Sequence, residues 1–175
     1  MEYLDICDCD GNLTSQKISK KEAHEQGLWH RSVHVWVINS QNEVLLQRRS
    51  PLVDNYPDKW DISAAGHVSA GEDCLTAALR EIKEEIGLDI KPEELILIGQ
   101  ARQMGKREGY INNEINPIYI VKKDLEVTKI KKQYEEVAEV KFIPYQELQN
   151  LIKNKDASFV PHTEEYEIFF KYLSK

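Results

Sequence analysis

Three glutamates in this sequence are spaced to act together. Glu81, Glu84 and Glu85 fall at i, i+3 and i+4, so on a helix of 3.6 residues per turn they share one arc of roughly 100°. Like charges so placed repel, at about 0.2–0.5 kcal/mol per pair on an isolated helix. Arg80 and Lys83 offset only part of that. Hard carboxylate oxygens in such a cluster suit Mg²⁺ or Mn²⁺, which in turn bridges phosphate oxygens. An ordinary solvated acidic helix face has the same pattern, so the triplet alone leaves both readings open.

The neighbouring residues supply a frame. Leu75, Leu79, Ile82 and Ile86 form a separate apolar stripe, which predicts a helix over roughly 72–86 anchored on a sheet and stopped by Gly87. Upstream, residues 3–9 read as a short strand followed by an Asp10-Gly11-Asn12 turn. Ser19 with Glu22 forms a capping box that opens a short helix ending near Gln26-Gly27. Ser32–Ile38 and Glu43–Arg48 read as strands joined by a hairpin loop at Asn39–Asn42, and Trp60–Ala65 leads into a turn at Gly66. Further strands are expected at 95–101, 117–122 and 137–143, with Gln103–Asn116 a long polar loop of the kind that is more often functional than idle. Helices follow from Pro144 to about Lys153 and from Thr163 to Tyr172. There is no internal repeat or linker, so the pattern implies one α+β domain over 1–175, an α/β/α sandwich.

Composition bounds the rest. Of 175 residues, 41% are apolar and 30% charged, the profile of a globular chain with a sizeable core. Lys and Arg number 23 against 30 Asp and Glu, a formal charge of −7. That argues against nucleic acid or an anionic membrane as partner, while leaving room for a local basic pocket. No apolar run is long enough to span a bilayer, and the N-terminal residues lack the features of a signal peptide. The odd count of three cysteines, Cys7, Cys9 and Cys74, fits unpaired thiols in a reducing compartment. A cytoplasmic location is expected.

The flanks of the carboxylate triplet decide between its two readings. Gly66 to Leu88 reads G-x5-E-x7-R-E-U-x-E-E-x-G-U, with U aliphatic and every fixed position filled: Gly66, Glu72, Arg80, Glu81, Ile82, Glu84, Glu85, Gly87 and Leu88. The segment resembles the signature of the Nudix hydrolases. That resemblance implies a mixed-sheet α/β/α sandwich and Mg²⁺- or Mn²⁺-dependent hydrolysis of a diphosphate bond in a small molecule, commonly a nucleoside diphosphate derivative. It also implies that Glu81, Glu84, Glu85 and the Gly66 carbonyl hold the metal, and that Glu72 and Arg80 hold the loop–helix fold together. Glu81, Glu108, Glu114, Glu135 and Glu136 are candidates for the general base. A homodimer is left open by analogy with the superfamily.

A second resemblance runs over residues 3–145. Ala23-His24, Leu28-Trp29-His30-Arg31, Leu45-Leu46-Gln47-Arg48-Arg49, Pro57-Asp58-Lys59-Trp60 and Gly66-His67 are similar to type I isopentenyl diphosphate isomerase, which shares the Nudix fold. Its metal site of three histidines and two glutamates is matched by His24, His30, His67 and Glu114, with Asn112 in place of the other glutamate. Its catalytic cysteine is replaced by Ala65, which cannot carry a proton. The chain therefore resembles a hydrolase of the isomerase-like branch, and whether the histidines form a second metal site is left open. Arg48, Arg49 and Lys59 border Gly66 and are candidates for binding substrate phosphates. Trp36, Trp60, Tyr110 and Tyr119 carry no assignment.

Overall fold

The computed structural model describes residues 2–174. Nine strands and four helices follow the chain as β1 (Tyr3–Cys7), β2 (Leu13–Ser19), α1 (Lys20–Gln26), β3 (His30–Ile38), β4 (Glu43–Arg49), β5 (Trp60–Asp61), β6 (Ala64–His67), α2 (Cys74–Ile86), β7 (Ile96–Arg107), β8 (Tyr110–Lys122), β9 (Val137–Pro144), α3 (Tyr145–Lys153) and α4 (Thr163–Leu173). The sheet is mixed. Strand β3 runs parallel to β8 and antiparallel to β6, while β4 is flanked by β5 and β9, both antiparallel to it.

Each face of the sheet has its own core, which makes the architecture an α/β/α sandwich. Val33, Val35 and Val37 of β3 pack with Ala77, Ala78, Ile82 and Ile86 of α2. On the other face Trp36 and Ile38 pack with Leu148 of α3 and Tyr166 and Phe169 of α4. Trp36 stacks on Phe169 with ring centroids 4.0 Å apart. Strand β3 is therefore buried on both faces, and its second face carries Ser32, His34 and Trp36, residues that look polar or amphipathic in the sequence.

Two expectations are corrected. Gly66 does not form a turn but lies within β6, paired with Val33. The segment Gln103–Asn116 is not a loop: β7 and β8 pair from Ile96↔Ile120 to Arg107↔Tyr110, with a register shift between Leu97 and Gly99 only. The turn is confined to Glu108-Gly109, where Gly109 adopts φ +69°. The outer half of this hairpin buries little apolar surface, so it has no hydrophobic alternation to announce it. Strand β2 pairs with β1 and is largely exposed, and for the same reason its sequence gives no strand signal.

Helix α4 is pinned by charge as well as by apolar packing. The buried Glu165 carboxylate accepts hydrogen bonds from Trp36 Nε1 at 2.8 Å and His34 Nδ1 at 2.5 Å. His162 Nε2 lies 2.7 Å from Asp61 Oδ1, and its Nδ1 lies 3.7 Å from Glu165. Burial opposes the charge on Glu165, but His34, His162 and Trp36 together bring its pKa below the ordinary 4.5. Burial likewise opposes the charge on His162, and Asp61 and Glu165 overcome it and raise its pKa above 6.5. Stability from the carboxylate is complete above its unfolded pKa and lost as pH falls through the lower folded value. Stability from the imidazolium is complete below 6.5 and lost as pH rises through its raised value. The thermal-stability advantage of the wild type over Glu165→Gln is therefore expected to peak between pH 4.5 and 6.5. Unfolding curves across pH should show it shrinking on both sides of that window.

Candidate active site and metal centre

Helix α2 begins at an Asp73 N-cap, whose carboxylate accepts from Thr76 N at 3.0 Å. It ends at Gly87 in the left-handed region, φ +67°. Arg80 organises everything on its site-facing side. Its Nε and Nη2 donate to the two oxygens of Glu72 at 3.0 and 2.9 Å, and Nη2 also reaches the His67 carbonyl at 3.0 Å. Nη1 donates to Glu81 at 2.6 Å and Glu84 at 3.2 Å. Glu72 in turn accepts from Ser69 N at 3.1 Å. One guanidinium thus ties the loop after β6 to the helix that bears the carboxylates. Hydrogen bonds from Arg80 hold Glu72 ionised, its pKa below the ordinary value.

The triplet is split by exposure. Glu84 reaches solvent, whereas Glu81 and Glu85 are buried. Burial pushes Glu81 up to about 7 against the pull of Arg80. Burial also drives Glu85 well above the ordinary carboxylate range, and the charges of Glu81 and Glu136 add to the effect. Glu85 Oε2 accepts from Ala65 N at 3.0 Å and Gln47 Nε2 at 3.1 Å. Two buried carboxylates with too little positive charge beside them form a donor set that fits a divalent cation, which would restore the ionised form of both. Gly66 closes the site from the sheet side: a Cβ there would lie 2.0 Å from Glu81 Cδ. Its carbonyl accepts from Ser32 Oγ at 2.7 Å, a contact that orients it.

The three basic candidates separate. Arg49 donates from Nη1 to Asp61 at 3.1 Å and from Nε to the Asn55 carbonyl at 2.9 Å, and its charge is felt by Glu85. Arg48, its neighbour on β4, is paired with Asp58 and Glu139. Lys59 donates to the Ala157 carbonyl on the surface. Among the carboxylates considered as bases, Glu136 acts electrostatically on both Glu81 and Glu85. Glu108 sits exposed at the tip of the β7–β8 hairpin and Glu135 is exposed.

Next to this site, His24 of α1, His30 of β3, His67 of β6 and Glu114 of β8 converge, with one ligand atom from each lying within 4.8 Å of the others. The register explains it: His30 is the partner of Glu114 and Ser32 the partner of His67. Glu114 Oε1 lies 3.3 Å from His67 Nε2 and 3.6 Å from His30 Nε2. Both Nε2 atoms are buried without a hydrogen-bond partner. His24 Nδ1 and His30 Nδ1 are held by the carbonyls of Lys20 and Leu28 at 2.7 and 2.9 Å, which aims their Nε2 atoms inward. Burial keeps His24 neutral, down to about 4, and lowers His67 as well. Burial opposes the charge on Glu114, but its contacts with His30 and His67 hold it well below the usual range. Neutral imidazoles, an ionised carboxylate and orphaned inward nitrogens are what a transition metal requires of its ligands. Asn112, at the position of the isomerase's second glutamate, contacts His24 Nε2 through Oδ1 at 3.1 Å.

Sequence reasoning overlooked Ser32, Gln47, Asp61, His34, His162 and Glu165. Their common signal is weak. In β3, polar residues alternating with apolar ones read as a solvated face, whereas the face that carries His34 and Trp36 lies under α4.

A curled mixed sheet clamped between helices, with a buried carboxylate cluster on the helix that follows β6, defines a class of metal-dependent enzymes acting on phosphoric anhydrides. Residues 28–163 match the model of the NUDIX domain, and the chain belongs to that family. It is 38% identical over 157 residues to an uncharacterized Nudix hydrolase of Clostridium acetobutylicum, covering 88% of this chain and 75% of that one. It is 36% identical to Nudix hydrolase 3 of Arabidopsis thaliana over 92% of its own length, but spans only 22% of the plant protein. An isopentenyl-diphosphate Delta-isomerase of Dinoroseobacter shibae is 31% identical over 87% of this chain and 84% of its own. The crystal structure of DR0079 from Deinococcus radiodurans superposes with a TM-score of 0.70 over 97% of this chain and 98% of that one at 20% identity, a likeness of fold.

Because Gly66 and Glu81 share one space, Gly66→Ala should displace the Glu81 carboxylate while leaving the strands paired. Turnover is expected to fall by about 100-fold, the order set by a misplacement near 1 Å, with an unchanged far-ultraviolet circular dichroism spectrum.

Proposed function

We propose that this chain hydrolyses the diphosphate bond of a nucleoside diphosphate derivative or related small metabolite, with Mg²⁺ or Mn²⁺ held by Glu81, Glu84, Glu85 and the Gly66 carbonyl. The observation that carries this reading is the pair of buried carboxylates, Glu81 and Glu85, short of positive charge and fixed by Arg80, Gln47 and the Ala65 amide. No apolar or structural purpose accounts for two such groups side by side. A bound cation would screen the diphosphate's negative charge and make water more acidic. The protein's own contribution is geometric. Arg80 and Glu72 fix the loop, Gly66 leaves room for Glu81, and Arg49 offers a guanidinium beside Glu85 to a phosphate oxygen. Glu136, exposed to solvent and close enough to act on both buried carboxylates, is the base that takes the proton from the attacking water.

The competing reading is isomerisation of isopentenyl diphosphate. Ala65 speaks against it, since a methyl group can neither donate nor accept a proton. A non-catalytic binding module is disfavoured by the complete carboxylate set. In a phosphate- and pyrophosphate-release screen over nucleotide and prenyl diphosphates, the wild type with Mg²⁺ or Mn²⁺ should turn over one class. Glu84→Gln and Glu85→Gln should lose at least about 100-fold in kcat, the scale of a lost metal contact. Unchanged turnover in both variants would remove the metal assignment, and double-bond migration without phosphate release would favour the isomerase.

A second reading rests on the orphaned Nε2 atoms of His30 and His67. They support a separate Zn²⁺ or Mn²⁺ site completed by His24 and Glu114. Elemental analysis after metal loading and dialysis should find an equivalent of metal that His67→Ala loses and Glu85→Gln keeps. Equal metal content in wild type and His67→Ala would rule the second site out.

A further inference from the structure

A second buried cluster of histidines and carboxylates joins Arg49 to α4. Asp61 of β5 is the register partner of Gln47, the residue that donates to Glu85. The Asp61 carboxylate is filled: Oδ1 accepts from His162 Nε2 at 2.7 Å and Ile62 N at 2.8 Å, and Oδ2 accepts from Arg49 Nη1 at 3.1 Å. His162 Nδ1 faces Gln103 Oε1 at 3.2 Å and Glu165 at 3.7 Å, and Glu165 is held by His34 and Trp36. From the site inward the residues alternate as cation, anion, imidazole, anion, imidazole.

By residue type this cluster also fits a metal, yet its inward atoms already have partners, unlike the orphaned nitrogens of His30 and His67. It is complete as an ion-pair network. Burying such a network costs desolvation that apolar side chains would avoid, which leaves room for a use besides pinning α4. The end of the chain shows one. Asp61, His162 and Glu165 have side chains at most 5% exposed, whereas Arg49 is 22% exposed. Only the terminal guanidinium opens toward solvent beside the carboxylate site. Its Nε and Nη1 are occupied by Asn55 and Asp61, and Nη2 makes no hydrogen bond within the protein among the described residues.

We propose that Asp61 and His162 are positioning residues for substrate recognition. They lock the Arg49 guanidinium in one orientation, with Nη2 presented to a phosphate oxygen, so that the docking of α4 is required for anion binding. The inference rests on the reading of Arg49 as a phosphate contact. A flexible arginine must be ordered when the anion binds, and an arginine already held by two acceptors has met that entropy cost in folding. Lysine at this position would lack the fork that contacts Asn55, Asp61 and an anion together.

Calorimetric binding of inorganic pyrophosphate in Mg²⁺, with thermal unfolding of every variant as control, separates the possibilities. Arg49→Ala should weaken binding by about tenfold or more, the scale of one charge-assisted hydrogen bond. Asp61→Asn should weaken it comparably, with no further loss in the double variant with Arg49→Ala, because both act through one contact. His162→Ala should also weaken binding, and His162→Gln, which retains an N–H donor for Asp61, should recover most of the loss. With a substrate in hand, the loss should appear in KM with kcat little changed. If Arg49→Ala leaves binding intact, the phosphate-contact reading fails. If Arg49→Ala weakens binding but folded Asp61→Asn does not, the positioning role is overturned. Asp61→Asn, nearly isosteric, decides the matter even if His162→Ala does not fold.

Discussion

The site depends on Arg80. Its planar fork accounts for two contacts to Glu72, one to the His67 carbonyl and one each to Glu81 and Glu84. Without it, Glu72 and the His67 carbonyl would lose their tie to α2, and three carboxylates would face one another with little compensating charge. Those contacts leave the cluster poised rather than neutralised. Arg80 is shared among three acids, so Glu81 stays raised despite touching it. Glu85, beyond its reach, is driven well above the ordinary carboxylate range by burial. A more generous supply of cations would stabilise the apoprotein and weaken its case as a metal site.

The carboxylate helix was legible because its signal is local. Spacing, stripe and stop all lie between Gly66 and Leu88, and the structure starts the helix at Cys74 and ends it at Ile86. The strands around the apolar cores were legible for the same reason. The outer half of the β7–β8 hairpin and strand β2 were not, because they lack the one-sided burial that produces alternation in a sequence. The basic residues illustrate a different limit. Arg48 and Arg49 are equivalent in the sequence, and only the pleat of β4 separates them, sending one to Glu139 and Asp58 and the other to Asp61.

Two clusters of the same chemical types show how much the partner count matters. In one, three imidazoles share a single carboxylate, and two of their nitrogens are buried with nothing to bond. In the other, two imidazoles, two carboxylates, an indole and a guanidinium satisfy one another. The first is deficient in a cation and the second is closed. Residue identity alone makes them alike; hydrogen-bond accounting tells them apart, one with buried nitrogens left over and the other complete among its own groups.

At the pair Ala65-Gly66, backbone support and side-chain chemistry are separate. The backbone of residue 65 is committed, since its N–H supports Glu85, and the Cα of residue 66 is committed by its contact with Glu81. The side chain of residue 65 is not. It lies half-buried against the core that contains Trp60 and Trp36 and takes no part in the hydrogen bonding of the carboxylates. A reactive side chain at this position would add an acid–base group without disturbing the hydrogen bond that the backbone makes to Glu85. The backbone of residue 65 does the supporting, so its side chain is free to differ without loss of the contact to Glu85.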